Sequence, residues 1–367
     1  MSTIKHYFAG SNSSRGFFSF FDEALKHLDR LYILKGGPGT GKSTLIRRVG
    51  EALHQKGFDI EFLHCSSDNQ SLDGVIIPAL KAGIVDGTAP HIVDPKYPGV
   101  IDRIVNLGEY WDDTKLIAHK DEIVRLTDQI SNTYKAAYDE FRKAKKVHDD
   151  IEKIYLKAMD FKKANEVTSD LINTIFSGDV RAERTPSVKH LFMGAATPQG
   201  PVHFYNNLTE QDNKRYIVKG RAGSGKSTMM KKIGAHAERL GYSVLYYHCA
   251  FDPGSIDMVS IPALKTSVLD GTAPHVFDPS RAGDESVDMF ERCIDSSVEV
   301  TQKDVLADLE NRYRSHMKQG TKHLAQAKSL HDELEKYYIS AMDFSKVNDI
   351  TNKLIEDISN LITLQPH

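Results

Sequence analysis

Short apolar runs and amphipathic helical segments alternate along the chain, and the same alternation occurs twice. In each occurrence an apolar strand leads straight into a glycine-rich loop and a helix, and a second apolar strand follows. The predicted strand, helix and strand cover residues 31–34, 43–56 and 60–64 in the first occurrence, and 215–218, 227–240 and 244–248 in the second. Elements in this order predict a parallel βαβ unit in each half of the chain.

Shorter elements surround each unit. The pattern predicts an opening strand at 7–9 or 191–193 and an amphipathic helix after Gly16 or Gly200. After the second strand of each unit we expect a further helix that ends near Pro78 or Pro262. Short apolar strands that end in an acid follow at 84–86 and 268–270. All of these expectations rest on local patterns alone.

A long helix is predicted in the second part of each repeat. Positions 130, 134, 137, 141, 144, 148, 151, 155 and 158 step by four and three and hold mostly apolar or aromatic residues. This spacing predicts an amphipathic helix with a coiled-coil-like seam. A less regular seam runs from Met317 to Ala341, and we expect each helix to turn back near Asp160 or Asp343.

Comparison of the chain with itself shows an internal repeat. Residues 5–96 align with 189–280 at a constant offset of 184, and about 36 of the 92 aligned positions are identical. Farther along the offset becomes 183, where Ala158-Met-Asp-Phe161 matches Ala341-Met-Asp-Phe344. We therefore expect an α/β protein with two tandem domains and mostly parallel sheets, each domain with a helical arm. The predicted domains are 1–184 (arm about 112–178) and 185–367 (arm about 296–363).

Composition narrows the class of protein. Of the 367 residues 40% are hydrophobic and 26% are charged, and no apolar run approaches the roughly 20 residues that span a bilayer. The formal net charge of −3 gives no broad attraction for nucleic acid or anionic lipid. Three cysteines and no recognisable secretory signal favour the cytoplasm. We expect nucleotide or protein partners, a protein partner or a second copy meeting the helical arms.

Two glycine loops carry the main chemical signal. Each follows a predicted strand, precedes a predicted helix, and fits glycine, four residues, glycine, lysine, then serine or threonine. Glycines let successive backbone N–H groups surround a phosphate, and the helix N-terminus adds its positive dipole end. The candidate phosphate-binding residues are Gly36, Gly37, Gly39, Thr40, Gly41, Lys42, Ser43 and Thr44, and in the second copy Gly220, Gly223, Ser224, Gly225, Lys226, Ser227 and Thr228.

The lysine and the serine of each loop have separate predicted roles. Lys42 and Lys226 are expected to contact the β- and γ-phosphates of ATP or another nucleoside triphosphate, and therefore count as catalytic candidates. The hydroxyls of Ser43 and Ser227 are expected to coordinate the Mg²⁺ that bridges those phosphates.

On these loops the chain resembles the P-loop NTPases. The first loop is similar to those of AAA-type ATPases and the second to those of small-molecule kinases. With the repeated Ile-Pro-Ala-Leu-Lys and Asp-Gly-Thr-Ala-Pro-His blocks, the whole also resembles a family of uncharacterised bacterial tandem-P-loop ATPases. The resemblance implies a second carboxylate that holds Mg²⁺ at the end of an apolar strand.

Asp86 and Asp270 fit that carboxylate best, because each ends a short apolar strand. The same Asp-Gly dipeptide also favours a simple turn. Rivals for the role are Asp94 with Asp278, and Asp68 with Asp252. In AAA and transporter ATPases a glutamate that orients water follows this aspartate, whereas here Gly87 or Gly271 follows it, so fast hydrolysis is not expected.

Further residues are candidates for the missing catalytic role. A carboxylate at Asp68 or Asp252 lies just beyond the strand beside each loop and could reach an attacking water or an acceptor hydroxyl; the alternative is a helix N-cap. His91 could contact phosphate or be a hydrogen-bonded loop residue. His64-Cys65 offers too few ligands for zinc and is interpreted as a packed strand end.

Three functions are compatible with these features. The first is a Mg²⁺-dependent ATPase that acts as a two-site nucleotide switch, in which the arms respond to the bound nucleotide. The second is a phosphotransferase whose helical region covers a small acceptor. The third is a scaffold that holds ATP without turnover.

Overall fold

A computed structural model describes residues 2–178 and 185–361. The first half contains β1 (Ile4–Tyr7), β2 (Gly10–Ser13), β3 (Gly16–Ser19), α1 (Phe21–Ala24), β4 (Arg30–Lys35), α2 (Lys42–Gln55), β5 (Ile60–His64), β6 (Leu72–Ile77), β7 (Ala82–Asp86), β8 (Asp102–Asn106), α3 (Asp113–Ile117), α4 (Lys120–Lys157) and α5 (Phe161–Ile175). The second half contains β9 (Val188–Phe192), β10 (Gly194–Thr197), β11 (Gly200–His203), α6 (Tyr205–Leu208), β12 (Lys214–Lys219), α7 (Lys226–Arg239), β13 (Val244–His248), β14 (Ile256–Ile261), β15 (Thr266–Asp270), β16 (Asp284–Asp288), α8 (Met289–Cys293), α9 (Ser297–Thr301), α10 (Lys303–Ala341) and α11 (Phe344–Asn360).

Each half builds one six-stranded, mostly parallel sheet. The strand order is β1-β5-β6-β7-β4-β8 in the first sheet, and the second repeats it as β9-β13-β14-β15-β12-β16. In the parts of these two six-stranded sheets that the structure describes, β6 and β14 are the strands that run antiparallel to their neighbours. The crossover from β4 through α2 to β5 therefore joins parallel strands, as the βαβ pattern predicts. The α/β class and the mostly parallel sheets are confirmed.

Alternating side chains of the strands divide each sheet between two cores. In β4, Tyr32 and Leu34 pack with α2, whereas Leu31 and Ile33 point to the opposite face. That opposite face meets the corresponding face of the second sheet, where Ile217 of β12 lies in the same buried cluster. The two sheets are thus joined through a shared apolar layer.

Three expectations about local structure are wrong. The segment before Pro78 is the strand β6, all six of whose residues are buried, and only a single 3₁₀ turn follows it at Pro78–Leu80. The same holds for β14 before Pro262. Apolar and β-branched residues, which suit a strand inserted between two others, outweigh the helix-start signal. The predicted amphipathic helix after Gly16 is only the four-residue α1, and the opening strand ends at Tyr7 instead of Ala9.

The long helices form one antiparallel pair within the chain. Helices α4 and α10 run in opposite directions: His119, just before α4, lies against Tyr337 near the end of α10, and Glu140 accepts a hydrogen bond from His316. Near the end of α4, Tyr155 contacts Glu299 of α9, just before α10. Phe141 is fully buried in the seam, where it packs against Gly320 of α10. The predicted seam of α4 is confirmed. Within the described residues no helix is both long and apolar enough to cross a membrane.

The short helices after the long pair cross over between the halves. Helix α5 of the first half contributes Val167 and Leu171 to the core around α7, and α11 of the second half contributes Val347 and Leu354 to the core around α2. Backbone hydrogen bonds fix both crossings: Asp112 N–H donates to Ala341 O, and Asp160 N–H donates to Cys293 O. Each sheet is therefore covered by a helix from the other half.

Candidate functional site

The two glycine loops have the same shape, which their residues impose. Gly39 and Gly41 adopt φ angles of 68° and 88°, and Gly223 and Gly225 adopt 73° and 81°. This left-handed region suits glycine because it has no Cβ. Thr40 Oγ1 donates to Gly37 O at 2.9 Å and so closes the first loop on itself. The second loop is closed in the same way from Ser224 to Arg221 O, at 2.8 Å.

The loop lysines are held at the centre of each loop. Lys42 is 9% exposed, and its Nζ donates to the carbonyl oxygens of Gly36 at 3.0 Å and Gly37 at 2.8 Å. Lys226 Nζ donates to Gly220 O at 3.3 Å and Arg221 O at 2.9 Å. A lysine ammonium that is held by backbone carbonyls at the N-terminus of a helix attracts anions, because the helix dipole adds to its positive charge.

Asp86 and Asp270 lie where a carboxylate near the lysine is expected. Each ends the strand beside the loop-bearing strand, with Asp86 opposite Leu34 and Asp270 opposite Val218. In each pair the carboxylate Oδ2 lies 3.6 Å from the lysine Nζ. Thr88 or Thr272 donates to the other carboxylate oxygen from both its N–H and its hydroxyl. The Asp-Gly turn and the approach to the lysine therefore coexist.

The serine hydroxyls lie at the first residue of β6 and β14. Ser43 Oγ accepts a hydrogen bond from Leu72 N–H at 2.9 Å, and Ser227 Oγ accepts one from Ile256 N–H at 2.9 Å. Hydroxyl and carboxylate oxygens are ligand types that suit Mg²⁺, and each half offers one of each on elements that flank its lysine. The residues present fit a divalent cation with phosphate at this position.

The rival pair Asp94 and Asp278 has a structural role. Lys35 Nζ donates to the Asp94 carboxylate at 2.8 Å and also to the carbonyl oxygens of Gly87 and Val93. Lys219 binds Asp278, Gly271 and Phe277 in the same way. These contacts hold the segment after Asp86 or Asp270 in a fixed loop, and the carboxylates of Asp94 and Asp278 point largely into solvent.

Asp68 and Asp252 cap turns and bind lysines from the opposite half. Asp68 accepts hydrogen bonds from Gln70 N–H and from the Ser71 hydroxyl, and β6 follows, so the proposed helix N-cap is wrong. Its Oδ2 lies 3.3 Å from Lys328 Nζ of α10. Burial alone would raise the pKa of Asp68, but these hydrogen bonds and the Lys328 charge together lower it. Asp252 Oδ2 lies 3.4 Å from Lys145 Nζ of α4.

A repeated block on the long helices was missed by sequence reasoning. The block Lys145, His148, Asp149 and Glu152 recurs with the offset of 183 as Lys328, His331, Asp332 and Glu335. The imidazole and carboxylate atoms of each set lie within 4.8 Å of one another, so each set could hold a metal ion, although Lys145 and Lys328 already bind the two aspartates. Identity at a constant offset was the available signal.

The repeated block lies directly on the glycine loop of the other half. A Cβ added to Gly39 would lie 3.0 Å from Glu335 O, and one added to Gly37 would lie 2.6 Å from the Tyr338 ring. On the second loop, a Cβ on Gly223 would lie 2.9 Å from Glu152 O. Burial first, and the Lys42 charge among others, lower the pKa of His331. Each long helix thus packs against the glycine loop of the other repeat.

A second missed group is a buried acid behind each loop. Asp73 and Asp257 are the second residues of β6 and β14, and both are buried. Burial, reinforced by the charge of Asp270, raises the pKa of Asp257 to about 7. Burial likewise raises the pKa of Asp73, which lies 3.7 Å from His91 Nε2. A charged residue inside an apolar run was the sequence signal for both.

The histidines before the cysteines pair with other histidines. His6 Nδ1 lies 2.8 Å from His64 Nε2, and His190 Nδ1 lies 2.8 Å from His248 Nε2. Phe204 packs on the first pair and Phe20 on the second, each from the other half of the chain. These contacts agree with packed strand ends.

Acid is expected to destabilise the protein through these pairs. Burial lowers the pKa of His64 to about 3 and that of His248 to about 4. Below about pH 6.5 the unfolded chain takes up protons that the folded histidines reject, so the unfolding free energy falls as pH drops toward 4, by about 1 kcal/mol per pH unit and histidine. Denaturant unfolding of the His64→Gln variant at pH 5 to 7 should show a smaller pH slope. The exposed His119→Gln serves as control, and equal slopes in both variants would contradict the assignment.

Comparisons with protein-family models, curated proteins and solved structures give no match for this chain.

Proposed function

We propose that the chain is a two-site P-loop NTPase that binds ATP or another nucleoside triphosphate with Mg²⁺ and acts as a slow nucleotide switch. One observation carries the proposal: both halves place a lysine inside a glycine loop, at a helix N-terminus, 3.6 Å from a carboxylate at the end of the adjacent strand. This combination concentrates anion-binding groups beside a cation-binding acid.

Each residue has a distinct role in the proposed site. On binding, Lys42 and Lys226 give up their hydrogen bonds to loop carbonyls and donate to phosphate oxygens instead. Bonds between two charged groups are stronger than bonds from an ammonium to a neutral carbonyl. Ser43 with Asp86, and Ser227 with Asp270, hold the Mg²⁺. Magnesium, when bound, neutralises charge that develops on the phosphates. Asp68 or Asp252 accepts the proton of the attacking water.

The helical arms supply the switch. A nucleotide that draws Lys42 from Gly36 and Gly37 changes the loop against which Tyr338 and Glu335 pack. The charge of Asp68 is balanced by Lys328, so use of this carboxylate as a base also affects α10. Because both long helices form one pair, a change at one loop reaches the other half directly.

Nucleotide binding and phosphate release test the proposal. We expect two nucleotides per chain in calorimetry with Mg²⁺, slow release of phosphate from ATP alone, and loss of release in EDTA. Release that requires an added pool of nucleosides or small alcohols would instead indicate a phosphotransferase, and tight binding without release a scaffold. Absence of binding by any nucleoside triphosphate would overturn the proposal.

A further inference from the structure

Two phenylalanines are exposed at equivalent positions. Phe161 is the first residue of α5 and Phe344 the first residue of α11, and their exposed fractions are 59% and 39%. They end the identical Ala-Met-Asp-Phe blocks, and Asp160 and Asp343 cap the helices that they begin. Single exposed aromatic rings are common on protein surfaces, but these two occupy equivalent positions of the repeat.

Phe344 lies beside the glycine loop of the first half. A Cβ added to Gly41 would lie 3.6 Å from its ring. Between this ring and α2 there is a cavity of about 80 Å³. Its walls include Thr44 and Arg48 of α2 and Asn348 of α11, and Arg48 donates to Asn348 Oδ1 at 2.5 Å. The cavity thus combines an aromatic face with a polar edge.

The second half reproduces the polar edge. Lys232 of α7 donates to Asn165 Oδ1 of α5 at 2.6 Å, in the positions of Arg48 and Asn348. Helix α5 packs on the core around α7, so Phe161 begins the helix that covers the second loop's own helix. In both halves the ring and the asparagine come from the opposite repeat.

We infer that the purine base of a nucleotide whose phosphates lie in the first glycine loop stacks on Phe344, a residue of the other repeat, at the mouth of this cavity. The inference rests on the proposed function and adds to it the ligand's base and the source of its contacts. The cavity borders Gly41 and Thr44, the residues on either side of Lys42 and Ser43, which hold the phosphates in the proposed function.

The chemistry of the cavity favours a purine. Stacking of a base on an aromatic ring is worth enough to lower affinity about tenfold or more when the ring is removed. A two-ring base covers more of the Phe344 ring than a pyrimidine does, and the Arg48–Asn348 pair offers donors and acceptors to its edge. ATP is therefore expected to bind more tightly than CTP. The affinity for tripolyphosphate, which has no base, should not depend on the Phe344 ring.

A variant series in a background with one silent loop tests the inference. In the Lys226→Ala background binding is measured at the first loop alone. ATP, CTP and tripolyphosphate are each titrated into this protein with Mg²⁺ in a calorimeter. Phe344→Ala should weaken ATP about tenfold, leave tripolyphosphate within twofold, and reduce the preference for ATP over CTP. Phe344→Trp should retain ATP affinity, and Val300→Ala, which trims an exposed side chain elsewhere, should change nothing. In the Lys42→Ala background, which leaves the second loop to bind nucleotide, Phe344→Ala should leave the affinity for ATP unchanged.

The outcomes separate the inference from the proposed function. ATP affinity unchanged by Phe344→Ala, or tripolyphosphate affinity lowered as much as that of ATP, overturns the base site while the loops keep their role. An effect of Phe344→Ala at the second loop instead of the first overturns the contribution from the opposite repeat. If neither ATP nor tripolyphosphate binds the wild-type protein, the proposed function itself fails. Thermal unfolding confirms that each variant is folded.

Discussion

Alanine at Lys42 should lower the number of nucleotides bound per chain from two to one, and alanine at both Lys42 and Lys226 should abolish Mg²⁺-dependent binding and phosphate release. Lys42 is buried in its loop and the Lys226 side chain is 11% exposed, so the loss of either ammonium removes charge-assisted hydrogen bonds to phosphate worth about 1.5 to 3 kcal/mol apiece. With two such bonds, affinity at the altered loop falls by about 100-fold or more. Calorimetric stoichiometry and phosphate release measure both effects.

Surface charge is the matched control for this prediction. Lys96 lies largely in solvent and its ammonium forms an ion pair with the exposed Asp22, so Lys96→Ala removes one positive charge at a distance from either loop. We expect two bound nucleotides and unchanged release in this variant. Two full-affinity nucleotides in either loop-lysine variant would show that the altered loop is not a phosphate site.

Neither half of the chain should give a stable monomer on its own. A fragment of residues 1–184 lacks α11 and therefore the side chains of Val347, Leu354 and Ile358. The residues of the core around α2 that these side chains cover would then be exposed to water. Each of these side chains contributes about 1.5 to 3 kcal/mol by burial, and together they approach the whole stability of an ordinary domain. We expect this fragment to aggregate or to form a dimer in which copies exchange their arms, as light scattering and circular dichroism would show.

Coexpression provides the control for the fragments. Residues 1–184 and 185–367 made together can exchange α5 and α11 without a covalent link, and should purify as a one-to-one complex that binds nucleotide. A monomeric 1–184 fragment that unfolds cooperatively and binds nucleotide would contradict the reciprocal covering of the two cores.

Sequence reasoning succeeded where the signal is local. The glycine loops, the strands that precede them and the long helix of the first repeat follow from residues that are neighbours in the chain, such as Gly41 before Lys42 or the seam through Phe141. The antiparallel strand β6 was missed because Ser71 and Asp73 imitate a helix start, whereas burial between two strands decides the conformation. Local preference lost to tertiary packing at that point.

The crossing of the arms depends on nonlocal geometry. Helices α5 and α11 carry similar apolar faces, with Val167 and Val347 each on the side that meets a core, so either helix suits either sheet as far as pattern is concerned. Lys328 and Glu335 were missed because their importance comes from Asp68 and from the glycine loop, which they contact across more than 250 positions of sequence. The recurrence of Lys, His, Asp and Glu at a constant offset of 183 was the available signal.

Because each core is covered by a helix of the other half, the two halves cannot complete their folding in the order in which they are synthesised. The helix that completes the first core ends at Asn360, so a ribosome must pass that point before the segment that it made earliest can close. Until then the apolar side of α2 is exposed to water. Chaperones can therefore bind the first half of the chain for longer than they can bind the second. Slow translation between residues 185 and 360 should therefore harm the first glycine loop more than the second.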